Sequence, residues 1–271
     1  MQDALKQHQI QLEVLFNKNE LLPRIRKEFL ECDEFDFCKY IESIDVPVKF
    51  GIEVLTQMAL HKRADLPTLV GCLQSMTTTP QVCADLLYKC MEGDLMDWHT
   101  SLEIFIVKFT LSAELQAELD LFQFPLPMVV PPREVQHNKQ SGYLQSAGSI
   151  ILRKNHHDDD VCLDHINRMN QIKLTLDQRV VDMVANKWRN LDKAKPGEKS
   201  EDFQRRKRAF DKYDRTSREV IKLITGISPV FYLTHKYDKR GRTYCQGYHV
   251  TYQGAAWNKA VINFDHKEMV E

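Results

Sequence analysis

Seven residues toward the C-terminal end, "DKRGRTY" (Asp238–Tyr244), carry the densest chemistry in the chain. Arg240 and Arg242 flank Gly241, Asp238 precedes them and Tyr244 follows. A guanidinium is a planar fork that meets a phosphate through two hydrogen bonds, so two of them on a short bend suit a sugar–phosphate backbone. Gly241 lets that bend turn sharply or approach a ligand closely. Asp238 is placed to hold one guanidinium while the other stays free, and Tyr244 can pack under Arg242 or stack on a sugar. On its own, Arg-Gly-Arg also marks ordinary surface turns. Upstream, Arg205, Arg206, Arg208, Lys212 and Arg215 crowd together, with Asp211, Asp214 and Glu219 interleaved. That pattern has two readings. One is a solvated helix face laced with local ion pairs. The other is a strip that tracks phosphates with salt-sensitive affinity.

Composition limits these readings. The chain has 271 residues, enough for one large or two small domains, and 43% of them are hydrophobic. Its net charge is −1. A uniformly basic nucleic-acid coat is therefore excluded, and any polyanion contact must be local. Seven cysteines occur without a C-x-x-C pair, which reads as buried reduced thiols in a cytoplasmic protein. The segment "PGEKS" (196–200) lacks the first glycine and the Gly-Lys pair of a phosphate-binding loop, and Ser200 reads instead as a helix start. His156, His157 and Asp158 to Asp160 are contiguous, so as metal ligands they would converge poorly, and a solvated loop is expected. No Cys/His nucleophile arrangement stands out, and no metal-ligating residue is assigned. The N-terminal segment is amphipathic, without the apolar run of a membrane span or signal peptide.

The elements that must position these residues form an α+β pattern, mainly α with β-hairpins. Residues 1 to about 123 read as helices. Thr79, Pro80 and Gly93 bracket one of them as cap, first residue and stop, with Val82, Leu86 and Cys90 at helical spacing. "TSLEIFIVKFTLS" (100–112) reads as a buried helix, with a strand as the alternative, and Ser112 caps the helix that follows. Four prolines make "FPLPMVVPP" (124–132) extended and rigid. Residues 141–154 read as a β-hairpin. Ile166, Met169, Ile172, Leu176, Val180 and Val184 trace one helical apolar stripe, with Asp177 able to cap a second helix. A linker precedes the basic helix, which runs to Gly226 with Pro229 as its stop, and the pattern beyond becomes β.

With that context, "YDKRGRTY…QG…K…INF" resembles the Asp-x-x-Gly-Arg motif of the phage-type single-subunit RNA polymerases. The family pattern continues through Tyr244, a Gln-Gly pair at Gln253 and Gly254, and Lys259 six residues on. The interval from Arg242 to Gln253 is one residue longer than the family's. Upstream, "PMVVPP", "GYL…SIILRKNH" and "HINRMNQIKLTLDQRVVDMVAN" are similar to family segments in the same order. The family's tryptophan is Leu174 here and a later asparagine is Asp177. The resemblance covers roughly residues 65–264. It implies an N-terminal helical domain with proline-rich strand and hairpin (1–160), a helical connector and thumb (161–227), and the beginning of a palm (228–271).

The resemblance also implies roles. Asp238, Arg240, Gly241, Arg242, Tyr244 and Lys259 would bind template. Arg205, Arg206, Arg208, Lys212 and Arg215 would be thumb contacts to phosphate. Nucleotidyl transfer needs two metal ions held about 4 Å apart by carboxylates. The family's catalytic aspartates and fingers helix have no counterpart in these residues, so Mg2+ would be held by a second chain carrying palm and fingers. The heterodimeric polymerases of N-four-like bacteriophages have that arrangement, and the chain resembles their smaller, N-terminal subunit. The opening Met1 and the end after a strand suit such a subunit better than a fragment. Expected partners are that second subunit, DNA template and RNA–DNA hybrid, NTP substrates, and accessory phage proteins for promoter or single-strand DNA. The accessory proteins are expected because only "SAELQAELDLF" stands where relatives carry a strand-opening hairpin. The expected setting is the host bacterial cytoplasm. The alternatives are a non-enzymatic nucleic-acid-binding factor and a protein-interaction scaffold.

Overall fold

The computed structural model describes residues 2–16, 18–146, 148–152 and 157–267. The elements run α1 (Gln2–Leu15), α2 (Lys18–Leu30), α3 (Phe37–Ser43), α4 (Val48–His61), β1 (Arg63–Asp65), α5 (Leu66–Leu73), α6 (Pro80–Glu92), β2 (Met96–His99), β3 (Ile104–Val107) and α7 (Ala113–Phe122). They continue with α8 (Leu163–Asn170), β4 (Leu174–Leu176), α9 (Gln178–Met183), α10 (Ser200–Ile227), β5 (Val230–Phe231), β6 (His235–Tyr237), β7 (Thr243–Cys245), α11 (Ala256–Ala260) and β8 (Ile262–Phe264). The class is mixed α+β and mainly helical, with small antiparallel sheets. No described helix is long and apolar enough to cross a membrane. The chain divides into two compact units, Lys18–Asp120 and Met1–Asn17 with Leu121–Glu271.

In the unit Lys18–Asp120, helix α4 is the centre, buried on nearly every face from Phe50 to Leu60. Gly51 sets the approach of α3, because a Cβ there would meet Ile41 at 2.6 Å. Helix α6 begins and ends as its sequence dictates. The Thr79 hydroxyl accepts from the Val82 amide at 3.2 Å, Pro80 follows, and Gly93 closes the last turn. Its buried face is Cys83, Leu87 and Cys90, whereas Val82 is exposed, so the apolar stripe lies one residue round from the expected one. The expected helix over 100–112 is strand β3, the middle of a β1-β3-β2 sheet. "IFIV" is rich in β-branched and aromatic residues, and Phe105 is fully buried beside Trp98 with ring centroids 4.8 Å apart. The Ser112 hydroxyl accepts from the Leu115 amide at the start of α7, as expected.

The other unit is held from its N-terminus. Glu13 on α1 is buried and accepts from Gln9 Nε2 at 2.9 Å and from the amides of Leu144 and Ser146 at 2.8 and 3.1 Å, and from that of Gln145. Gln9 Oε1 in turn accepts from the Val129 amide at 2.9 Å. Amides turned toward Glu13 cannot join a ladder. Accordingly the hairpin expected over 141–154 is absent among the described residues, and Ile151 makes a single parallel bridge to Tyr237. Ala147, Arg153 and Lys154 of that expectation lie outside the described residues. The proline-rich segment is extended, with Met128 bridging Tyr232.

The long helix expected from Ile166 is broken into α8, strand β4 and α9. Leu174-Thr175-Leu176 forms the middle strand of a β5-β4-β8 sheet. Apolar residues three or four apart fit a helix, but the same leucines alternate, and β5 and β8 supply pairing partners on both sides. Asp177 does cap α9, accepting from the Arg179 and Val180 amides at 3.1 and 3.2 Å. Helix α10 covers the basic sequence and ends one residue past Gly226. Val220, Ile221 and Ile224 anchor its second half, each contributing about 1.5–3 kcal/mol of burial. All seven cysteines are free. The expectation of buried thiols holds for Cys83 and for Cys90, whose thiol is pushed up to about 12 by burial, while Cys72 and Cys162 are exposed.

Candidate nucleic-acid interface

Strands β6 and β7 pair antiparallel, with Tyr237 opposite Thr243, and the residues between them are the Arg-Gly-Arg bend. The Asp238 amide donates to the Arg242 carbonyl at 2.9 Å, and the Gly241 amide donates to the Asp238 carbonyl at 3.0 Å. Gly241 has φ of 77°, with nothing within 4 Å of where a Cβ would sit. Glycine is therefore required for the left-handed backbone that three-residue hairpin loops use, and not for space.

Asp238 organises this turn with both oxygens. Oδ1 accepts from the amides of Arg240 and Arg242 at 2.9 and 3.0 Å. Oδ2 accepts from Arg240 Nε and Nη2 at 3.2 and 3.1 Å, from Arg242 Nε at 3.0 Å and from the Tyr244 hydroxyl at 3.4 Å. The carboxylate thus holds both guanidiniums, where the sequence had suggested one. Burial opposes its charge. The Arg242 amide and guanidinium, with the Tyr244 hydroxyl, outweigh that and set its pKa below the usual 3.8. The arginine side chains stay 64% and 53% exposed, although the carboxylate they share is only 9% exposed. With exposed Lys239 the tip carries three cations against one carboxylate. Tyr244 is therefore a further donor to Asp238, in addition to any stacking.

The hairpin is held at both edges. On the β6 side, the Tyr237 amide donates to the Ile150 carbonyl at 2.7 Å and the Leu152 amide donates to the Tyr237 carbonyl at 2.8 Å. Val135, Ile150, Ile151, Ile166 and Tyr237 form a small apolar cluster beneath. On the β7 side, the Gln253 side chain behaves as a strand residue. Its Oε1 accepts from the Cys245 amide at 2.7 Å and its Nε2 donates to the Thr243 carbonyl at 3.1 Å. Gly254 follows because a Cβ there would meet Asn258 Oδ1 at 2.7 Å, and that oxygen caps α11 through the Ala255 amide. Lys259 is exposed on α11.

A buried polar chain lies behind β6. Asn170 Oδ1 can only accept, so His235 Nδ1, 2.9 Å away, carries the hydrogen. His235 Nε2 then accepts from the Tyr252 hydroxyl at 2.7 Å. Burial, helped by His165, pushes His235 down to about 4 and keeps it neutral. Neither this chain nor the strand-like role of Gln253 has a signal in residue spacing.

On α10 the five basic residues separate into two groups. Arg206 is taken up by Glu198 through Nε and Nη2 at 2.6 and 2.7 Å and by the Asn190 carbonyl at 2.6 Å. Its hydrogen bonds hold Glu198 down at about 2. Arg205 pairs with Asp202 one turn away. Arg208, Lys212 and Arg215 are exposed at spacings of four and three, on one helix face with Arg205. From Arg205 to Arg215 that face rises about 15 Å. Arg218, one turn beyond Arg215, is held by Asp214 at 3.1 Å and the Val181 carbonyl at 2.8 Å and lies over Trp257.

Elsewhere, Asn138 Nδ2 ties the loop carrying His157 and Asp158–Asp160 by donating to the His157 and Asp159 carbonyls, and Lys139 pairs with Asp158 at 3.2 Å. His156 lies outside the described residues. Among the described residues no group of three or more His, Cys, Asp and Glu is placed to hold a metal ion. The sequence matches no family model and no curated protein, so what this interface does rests on its own geometry.

Proposed function

We propose that this chain grips the backbone of DNA template or RNA–DNA hybrid as the non-catalytic half of a two-chain, phage-type DNA-dependent RNA polymerase. In this reading Arg240 and Arg242 hold template phosphates, α10 serves as a thumb whose Arg208, Lys212 and Arg215 follow the backbone, and Lys259 adds a contact. Mg2+, NTP binding and the catalytic carboxylates belong to a second chain. Its palm and fingers complete the enzyme, and accessory phage proteins supply opened promoter DNA.

The observation that carries the reading is the double hold of Asp238. One carboxylate fixes two guanidiniums through Nε while both side chains stay more than half exposed. Fixing the forks beforehand removes much of the entropy cost of ordering them on a ligand. Each phosphate so neutralised releases counterions, and such contacts position a strand without reading its sequence. A second chain is supported by β8, an end strand of its sheet whose Phe264 is 65% exposed.

The test is RNA synthesis from single-stranded template by the chain reconstituted with the polypeptide that carries the catalytic carboxylates. Arg242→Ala should reduce initiation at least tenfold with folding unchanged, and normal initiation by that variant would refute the assignment. A second reading, a nucleic-acid-binding factor without catalytic partner, is favoured by the hairpin being complete within this chain. It predicts full template affinity and no second subunit at any stage of native purification.

A further inference from the structure

Tyr248 lies three residues beyond β7 and is 45% exposed, yet its ring is firmly seated. It stacks on Phe124 with centroids 3.8 Å apart and planes 19° apart. His249 is 4.8 Å from Tyr248 and 5.9 Å from Phe124, nearly perpendicular to both rings. Those separations put the imidazole beside the stack, at its rim. Tyr213 on α10 meets the ring at 88°, and its hydroxyl donates to the Tyr248 carbonyl at 3.3 Å. The backbone is equally constrained. A Cβ at Gly247 would lie 1.9 Å from the Val250 carbonyl oxygen, so the turn closes only around glycine. The residue is still 45% exposed with Phe124 stacked on one face of its ring.

An exposed aromatic ring that is already ordered loses little entropy when a second π-system settles on it. Its setting selects which π-system. Tyr248 follows Arg242 and Tyr244 closely in the chain, and Tyr213 directly follows Lys212 of the exposed cationic face. An ordered aromatic ring whose chain neighbours on both elements include cations suits a ligand that carries phosphate and a planar ring together. Base-on-aromatic stacking beside a cationic track is how single strands are held without sequence preference.

We propose that Tyr248 is a stacking shelf for an unpaired nucleobase of DNA or RNA, one whose flanking phosphates lie on the Arg240/Arg242 hairpin and the cationic face of α10. This rests on the nucleic-acid reading above and adds to it a base-contacting residue. Phosphate contacts set the salt dependence of binding, whereas a stacking contact contributes affinity without counterion release. The two are therefore separable.

The test uses the full chain with fluorescein-labelled twelve-residue oligo-dT and oligo-U, and a matched oligo-dT bearing consecutive abasic sites, each titrated over a range of KCl. Tyr248→Ala should bind the base-bearing strands about tenfold more weakly. Its slope of log affinity against log salt should be unchanged, and it should match the unaltered chain on the abasic strand. Tyr248→Trp should restore or exceed the original affinity, and whichever strand shows the larger effect names the source of the base. Equal binding by Tyr248→Ala, an equal loss on the abasic strand, or a reduced salt slope would each overturn the proposal. Absence of salt-dependent binding by the unaltered chain would overturn the nucleic-acid reading along with it.

Discussion

Asp238 on the β6–β7 hairpin and Glu198 before α10 each hold arginine, to opposite ends. Glu198 and the Asn190 carbonyl enclose one guanidinium through Nε, Nη1 and Nη2, and Arg206 is left 23% exposed. Its charge is spent on pinning the segment before α10. Asp238 uses one oxygen on backbone amides and the other on two guanidiniums, each of which stays more than half exposed. An arginine whose fork is filled by carboxylate and carbonyl is structural. Arg242, held at Nε, and Arg240, held at Nε and Nη2, keep the remaining guanidinium nitrogens for a ligand.

The largest expected effect comes from removing the double hold. Asp238→Ala frees both guanidiniums and strips two amides of their acceptor, so affinity for single-stranded DNA should fall by tenfold or more. Exchange at the Arg240 and Arg242 amides should accelerate in parallel. Tighter binding, as simple removal of a negative charge would give, would break the comparison. Next in size, replacing Arg208 and Arg215 together with glutamine should lower the salt slope of binding by about 2 and leave the thermal midpoint nearly unchanged.

Arg206→Ala should do the reverse. It should leave affinity and salt slope as they were and speed amide exchange over residues 189–198, and a loss of affinity from it would erase the distinction between the two carboxylates. As a stability control away from both, Glu13→Ala leaves three loop amides without their acceptor and should cost about 2–4 kcal/mol in denaturant unfolding, with the hairpin's affinity per folded molecule preserved.

Acid titration sharpens the comparison least but separates the groups. His235 has a folded pKa of about 4 against 6.5 ordinarily, so the unfolded chain takes up its proton first. Stability should therefore fall as pH drops from 6.5 toward 4, by on the order of 3 kcal/mol. Both carboxylates are depressed. Their contributions are complete above the ordinary carboxylate values of 3.8 and 4.5 and vanish as pH falls through the folded ones, about 2 for Glu198. A stability curve flat from pH 6.5 to 4 would contradict the neutral, buried imidazole.

What the sequence could disclose depended on how local the cause was. Helix α6, the Ser112 and Asp177 caps, the extent of α10 and the sharp turn at Gly241 all follow from residues within one turn of their effect. Strand β3 stood only as the alternative to a helix, and strand β4 was not expected, because Ile104–Val107 and Leu174–Leu176 take their state from partners far along the chain. The expected 141–154 hairpin failed for a similar reason, since Glu13 claims its amides from 131 residues away. At the candidate site, charge crowding drew attention to these residues but could not say which arginines were already occupied. That depends on Glu198 and Asp238, and Gln253 and Tyr248 acquire their roles only through β7, Phe124 and Tyr213.

The central claim is that the hairpin's paired guanidiniums are prepositioned for phosphate. Its most direct measurement is the salt dependence of single-stranded DNA binding by the unaltered chain and by Arg240→Gln/Arg242→Gln. The account predicts weaker binding at every salt concentration, a slope smaller by about 2, and an unchanged unfolding midpoint. Identical slopes and affinities for the two proteins would contradict it.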